Sequence, residues 1–272
     1  MIPYFSFGLL TLLYWQLLER RFRESNMSFG DAVIGLLSGQ YDYLDFNVHL
    51  WFLPCFFITV VFYNVLVNVI GREDRAFGKK ITGVICLAMS MVYIVLALIG
   101  SPLPGLPWGI DRVFKYIGFF AAGVSLAEWR VIGKGVAMPV LLEAVSDHKA
   151  VFMIIAAVLM LCNFALSYFG LTNGVFWFIT AFIGIAGMLI ISMVIKSRVL
   201  QYLGQITLVV LCVHGPVYRI VCKLFSMLLR MDTEVLRSNI ILAGLVAAVT
   251  LVISCIVYEI VKRLLPWMIG KK

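Results

Sequence analysis

Two histidines stand where an apolar chain has least reason to keep an ionisable group. His49 lies in Asn47-Val48-His49-Leu50-Trp51-Phe52-Leu53-Pro54-Cys55, where a polar loop gives way to a run from Phe56 to Ile70 that carries no charge. Asp42 and Asp45 lie just upstream. His214 lies in the stretch from Gly204-Gln205-Ile206 to Cys212-Val213-His214-Gly215-Pro216, roughly 14 Å into a second apolar run at the helical rise. Ionisable groups within a membrane face a bundle interior or a wet cavity and mark functional positions. Trp51 suits the level where a span enters the bilayer, because its ring is apolar and its N–H wants a polar partner. Each histidine also has a plain alternative. At 49 it is an aromatic-belt position with an incidental imidazole. At 214 the ring bonds a carbonyl freed by Pro216, which removes a backbone hydrogen bond. Arg219 and Lys223, on one helical face, then snorkel outward.

A third group is cationic. Glu19-Arg20-Arg21-Phe22-Arg23-Glu24 sets three arginines beside the end of the first apolar run. Arg20, Arg21 and Arg23 can hold an anion such as a phosphate, or anchor the chain at the interface while paired with Glu19 and Glu24. No metal is expected. The six cysteines, Cys55, Cys86, Cys162, Cys212, Cys222 and Cys255, all lie in apolar runs without a C-x-x-C pair. Cys212 and His214 are close in sequence but lack the further ligands of a tetrahedral site. His148, in Asp147-His148-Lys149, reads as part of a solvated turn.

The elements that must position these residues are membrane helices. Of the 272 residues, 62% are hydrophobic and only 13% charged, about half the charge of a soluble domain. The lipid bilayer is therefore the expected surrounding. The net charge of +8 does not imply nucleic acid, because the basic residues sit between apolar runs and not in a stripe with aromatics. With about 20 apolar residues per span, about eight spans are expected: 2–18, 48–70, 81–99, 113–127, 150–169, 174–195, 205–229 and 239–261. The fourth is short and contains Lys115. Strands are excluded by runs too long and too uniformly apolar for a transmembrane barrel. No internal repeat is visible, which counts against transporter folds built on repeated halves.

Lys and Arg concentrate in 71–80, 128–149, 196–204 and the C-terminal tail, so both termini are expected in the cytoplasm. Arg20, Arg21, Arg23, Arg112, Arg230 and Arg237 fall on the opposite side. The polar stretch 24–47 reads as an amphipathic interfacial segment, and the Pro- and Gly-rich stretch 101–109 as a compact turn. Met1-Ile2-Pro3-Tyr4 opens directly in apolar sequence with no positive flank, which excludes a signal peptide. The chain reads as if entered in the middle.

Three stretches taken together resemble the membrane-bound acyltransferase 3 family, in particular its fucose 4-O-acetylase-like sugar O-acetyltransferases. They are Ile2-Pro3-Tyr4-Phe5 leading to Leu17-Leu18-Glu19-Arg20-Arg21-Phe22-Arg23, then His49-Leu50-Trp51-Phe52-Leu53-Pro54, and Leu200-Gln201-Tyr202-Leu203-Gly204 through His214-Gly215-Pro216. The resemblance spans the whole chain and implies one transmembrane acyltransferase-like domain over 1–272. It implies a multi-pass protein of a bacterial inner membrane. Acetyl-CoA is the implied acyl donor, and a hydroxyl of a cell-surface glycan or its lipid-linked precursor the implied acceptor. Such chemistry needs a base, an oxyanion stabiliser and cations for phosphates. The family's arginine and catalytic histidine lie in a segment that this sequence does not show, so the resemblance implies a chain lacking its first two helices, with the family histidine upstream of residue 1 and the catalytic residue here unassigned. Arg20, Arg21 and Arg23 would then be anion or acceptor contacts. Asp45, His49 and Trp51 would line the cavity mouth, and His214 would be a polar group within the bundle. The competing expectation is a non-catalytic membrane protein, flippase-like or a degenerate remnant. Oligomeric state and acceptor sugar are not implied.

Overall fold

All eight apolar runs are helical, and three helices begin where a side chain satisfies free N–H groups. A computed structural model describes residues 1–23, 25–101, 103–128, 137–171 and 173–270, with only the backbone given for 137–141. Eleven α-helices are described: α1 Ile2–Leu17, α2 Phe29–Ser38, α3 Phe52–Ile70, α4 Arg75–Leu98, α5 Ile110–Glu128, α6 Ala137–Asp147, α7 Lys149–Tyr168, α8 Val175–Val194, α9 Arg198–Leu229, α10 Thr233–Ser238 and α11 Ile240–Leu264. No strand occurs among the described residues. Of the basic residues used to orient the chain, Arg130, Lys134, Lys271 and Lys272 lie outside the described residues, as does Glu24.

Six stretches are long and apolar enough to cross a membrane: Val48–Ile70, α4, α7, α8, α9 and α11. The chain is thus an all-helical, multi-pass membrane protein. The two other expected spans differ for physical reasons. Helix α1 has 16 residues, about 24 Å at the helical rise, short of the roughly 30 Å hydrocarbon core. Helix α5 carries Asp111, Arg112 and Lys115 in its first two turns. Lys115 lies 4.2 Å from the centroid of the Trp177 ring, a cation–π contact that offsets part of its desolvation.

Helices start earlier than hydropathy implies where a cap is available. Asp74 Oδ1 accepts from the N–H groups of Ala76 (2.8 Å) and Phe77 (3.1 Å), so α4 begins at Arg75. Asn239 caps α11 in the same way, at the start that hydropathy also gives. Ser28 and Asp31 form a reciprocal capping box that starts α2 inside the polar 24–47 stretch. At the other end of α3, Gly71 and Gly78 meet so closely that a Cβ on Gly78 would lie 2.3 Å from the Gly71 Cα.

The described chain forms two compact units. One comprises 1–57, 105–110 and 202–272; the other, 58–104 and 111–201. In the second, Ser90 of α4 donates to the Phe114 carbonyl and accepts from the Gly118 N–H, and Asn163 of α7 donates to the Thr180 carbonyl of α8. In the first, Tyr4, Phe7, Leu12 and Trp15 of α1 pack with Leu36, Leu44, Phe46 and Leu50, with Ile206, Val209 and Cys212 of α9, and with Tyr258 and Val261 of α11. The Trp108 indole N–H donates to the Leu37 carbonyl (3.1 Å), which ties residues 105–109 to α2. All the candidate site residues belong to this first unit.

Candidate functional site

The site is built around a carboxylate that the sequence presents as a surface group. Trp15, fully buried, anchors the last turns of α1, and the chain then makes a 3-10 turn over Glu19–Arg21. That turn carries Glu19 inward, with no exposure at all. Arg23 Nη1 donates to Glu19 Oε1 (2.9 Å), and Arg23 Nη2 donates to Asp45 Oδ1 (2.5 Å). Ser25 donates to the other Asp45 oxygen (2.9 Å). From α9, Arg219 sets its Nε 2.8 Å from Glu19 Oε1, out of line for a hydrogen bond, and its Nη2 donates to the Phe46 carbonyl. The result is one ionic chain, Asp45–Arg23–Glu19–Arg219, with two charges of each sign. Burial opposes the charge on Arg23, but its bonds to Asp45 and Glu19 outweigh this and raise its pKa. A lone buried carboxylate would cost several kcal/mol; two arginines make Glu19 tolerable there. Its Oε2 and the Tyr14 hydroxyl have no hydrogen-bond partner among the described residues.

Asn47 joins the loop to α9 by a different device. Pro216 lies inside α9, which continues as a helix through it. Having no N–H, it leaves the Cys212 carbonyl, four residues back, without its helical donor. Asn47, fully buried, supplies the missing donor through Nδ2 at 2.7 Å. The freed carbonyl is therefore taken by Asn47 and not by His214. Asn47→Ala is expected to destabilise the protein by about 1–3 kcal/mol through the orphaned carbonyl. Pro216→Ala restores the helical donor, so the same Asn47→Ala step should cost about 1 kcal/mol less in that background. Denaturation midpoints of the four proteins in detergent check this; strictly additive effects would contradict it.

Asn47 also begins the 3-10 turn Val48–Trp51 that holds His49. The His49 and His214 rings pack with centroids 4.1 Å apart and planes tilted by 39°. His214 Nδ1 lies 2.9 Å from the Val210 carbonyl and 3.0 Å from that of Leu211. Carbonyls only accept, so Nδ1 carries the hydrogen and Nε2 of the neutral ring is left as an acceptor. No hydrogen bond joins the His49 nitrogens to any described residue. The contact needs Gly215: a Cβ there would sit 2.8 Å from His49 Cδ2. A half-buried imidazole with open nitrogens, stacked on a second whose tautomer is fixed, can accept a hydrogen bond from a hydroxyl and exchange its proton.

The structure thus pairs Arg23 with Asp45 and His49 with His214. Arg20 stands apart on the exposed side. It donates to Gln16 (3.0 Å) and the Met27 carbonyl (3.4 Å) and lies 4.9 Å from the Trp15 ring centroid. Arg21 is exposed. Arg23 is committed to two carboxylates, whereas Arg20 and Arg21 have no carboxylate partner among the described residues. Trp51 is half-buried, its ring edge-on to Tyr41 at 6.4 Å. Asn47 had no role assigned from sequence, and Glu19 and Arg219 entered only the plain alternatives, as an interfacial partner of the arginines and as a snorkelling side chain. Arg219 turns inward to Glu19, against the alternative in which it snorkels outward. The one signal for Asn47 was the pairing of a helix-internal proline with an amide in a distant polar loop. Among the described residues, no group of three or more His, Cys, Asp or Glu is placed to hold a metal ion.

No curated protein and no solved structure matches the chain. A family's sequence model described as an acyltransferase domain, that of acyltransferase 3, does match it, over residues 1–259. With nearly all of its length accounted for by that match, the chain belongs to the acyltransferase 3 family.

Proposed function

We propose that the protein takes part in O-acetylation of a cell-envelope glycan in a bacterial inner membrane, in the manner of the fucose 4-O-acetylase-like branch. The acetyl donor is acetyl-CoA, and the acceptor is a hydroxyl of the glycan or of its lipid-linked precursor. Helices α1 and α5 join the six long apolar stretches to give about eight spans, with both termini in the cytoplasm. The family match over 1–259 carries this reading; the imidazole pair within an apolar unit is the feature of the fold that serves it.

In the reaction the acceptor oxygen attacks the thioester carbonyl. The new C–O bond forms, the C–S bond breaks, and the hydroxyl proton ends on the coenzyme A sulfur or in solvent. His49 contributes at the acceptor side, where the unprotonated nitrogen of its neutral ring accepts the hydroxyl's hydrogen bond. His214 holds His49 in place, and Asp45 and Trp51 border the approach. Arg20 and Arg21 fit the phosphates of the donor or of a lipid-linked acceptor, because both are exposed and neither is neutralised by a carboxylate among the described residues.

The test is the O-acetyl content of the purified surface glycan, read by NMR. Deleting the gene should abolish the signal, and complementation should restore it. His49→Ala should restore tenfold less or lower still, as expected for a group handling the acceptor proton. Unchanged acetylation on deletion would instead favour a non-catalytic membrane role.

A further inference from the structure

Outside the site, the first unit holds a cavity of about 300 Å³ walled by Tyr202 of α9 and by Cys255, Ile256, Glu259, Ile260 and Arg263 of α11. The α11 residues fall on one face and run from the last turn inward, over about 12 Å between Arg263 and Cys255 at the helical rise. Chemistry changes along that length. Arg263 stands at the end nearest the helix terminus, exposed and without an ion pair or hydrogen bond among the described residues. One turn in, Glu259 accepts from the Tyr202 hydroxyl (3.0 Å) and lies 3.9 Å from Lys262 Nζ. Its charge is thereby engaged, and the rim formed by Glu259, Lys262 and Arg263 is net positive. Deeper, Ile260, Ile256 and Cys255 leave only apolar wall.

The end of α11 is also a level at which headgroups lie. Lys262 and Arg263 close a 25-residue apolar span. Trp267, exposed in the 3-10 turn Pro266–Ile269, follows immediately. Basic and tryptophan side chains together mark the membrane–water interface. A cation at headgroup depth over an apolar slot matches one kind of molecule, with an anionic head and a hydrocarbon tail.

We propose that this groove is a seat for one anionic bilayer phospholipid. Its phosphate rests on Arg263 and one acyl chain lies along Ile260, Ile256 and Cys255. The arginine selects the headgroup by charge, and the slot excludes a free anion by offering little else to bind it. The seat is independent of the acyl transfer reading, since it uses none of those residues.

The test is native mass spectrometry of the detergent-purified protein, titrated with phosphatidylglycerol or phosphatidylcholine of identical chains. Wild type should retain phosphatidylglycerol about fivefold better, the worth of one arginine beside an anionic headgroup. Arg263→Gln should lose that preference, and Arg263→Lys should keep most of it. Ile256→Trp, which fills the slot from a lipid-facing position, should lose the lipid with Arg263 intact. Equal retention of the two lipids by wild type, phosphatidylglycerol held unchanged by Arg263→Gln or Ile256→Trp, or displacement of the lipid by inorganic phosphate alone would each overturn the proposal.

Discussion

Glu19→Ala is expected to be the most destabilising single change in the site, at about 3–5 kcal/mol. The carboxylate is fully buried and answers two arginines at once. Without it Arg23 still has Asp45, but Arg219, 17% exposed, keeps only the Phe46 carbonyl. An unmatched guanidinium at that depth is the source of the loss. Arg219→Met should cost less, because Glu19 keeps Arg23. The double variant Glu19→Gln, Arg219→Met should recover most of the single-variant loss, since removing both partners of a buried pair is far cheaper than removing one. Thermal unfolding in detergent, followed by tryptophan fluorescence, reads all three. If Glu19→Ala costs less than 1 kcal/mol, or the double variant is worse than either single one, the ionic chain does not organise this unit.

Gly215→Ala should separate stability from activity. The added methyl would meet the edge of the His49 ring at 2.8 Å. That ring is the movable end of a side chain, so it swings away and α9 keeps its course. The expected loss of stability is that of modest overpacking, about 1–3 kcal/mol. The ring pair opens, however, and a displacement near 1 Å at a reacting centre costs about 10²-fold in rate. Glycan O-acetylation should fall by that factor while the protein still reaches the membrane folded. Gly204→Ala is the control on the same helix: nothing lies within 4 Å of its Cβ position, so helix propensity alone makes it neutral or mildly stabilising. Wild-type acetylation by Gly215→Ala would mean that the pairing of the two rings is not used.

Much of the architecture was legible because lipid leaves the backbone few choices. A run of 18 or more apolar residues has to be helical there, and each such run is. Boundaries were less legible, since Asp74 and the Ser28–Asp31 box extend or create helices by hydrogen bonding, which hydropathy does not register. The site was legible only in parts. His49 and His214 stood out because an ionisable group at or within a span is rare. Their stacking was hidden, because no periodicity links a loop turn to a distant helix. Glu19 and Arg219 misled for a related reason. Glu19-Arg20-Arg21-Phe22-Arg23 has the composition of a solvated segment, and only the 3-10 turn after α1 shows that Glu19 points opposite to Arg20. On α9, Arg219 and Lys223 share a face, yet Arg219 finds a buried carboxylate that cannot be anticipated without knowing that α1 ends beside it.

The bond from Asn47 to the Cys212 carbonyl bears on the order in which the protein is made. When α9 leaves the ribosome, its carbonyl at Cys212 has no donor within its own helix, and hydrocarbon offers none. The residue that satisfies it was synthesised 165 positions earlier. Insertion of α9 is therefore incomplete as a local event. Until the loop bearing Asn47 reaches it, the helix must keep that carbonyl near water or against the translocation machinery. Helix α9 thus settles onto a template laid down by the loop that bears Asn47, and an error in that loop would surface as a defect in a helix made long after it.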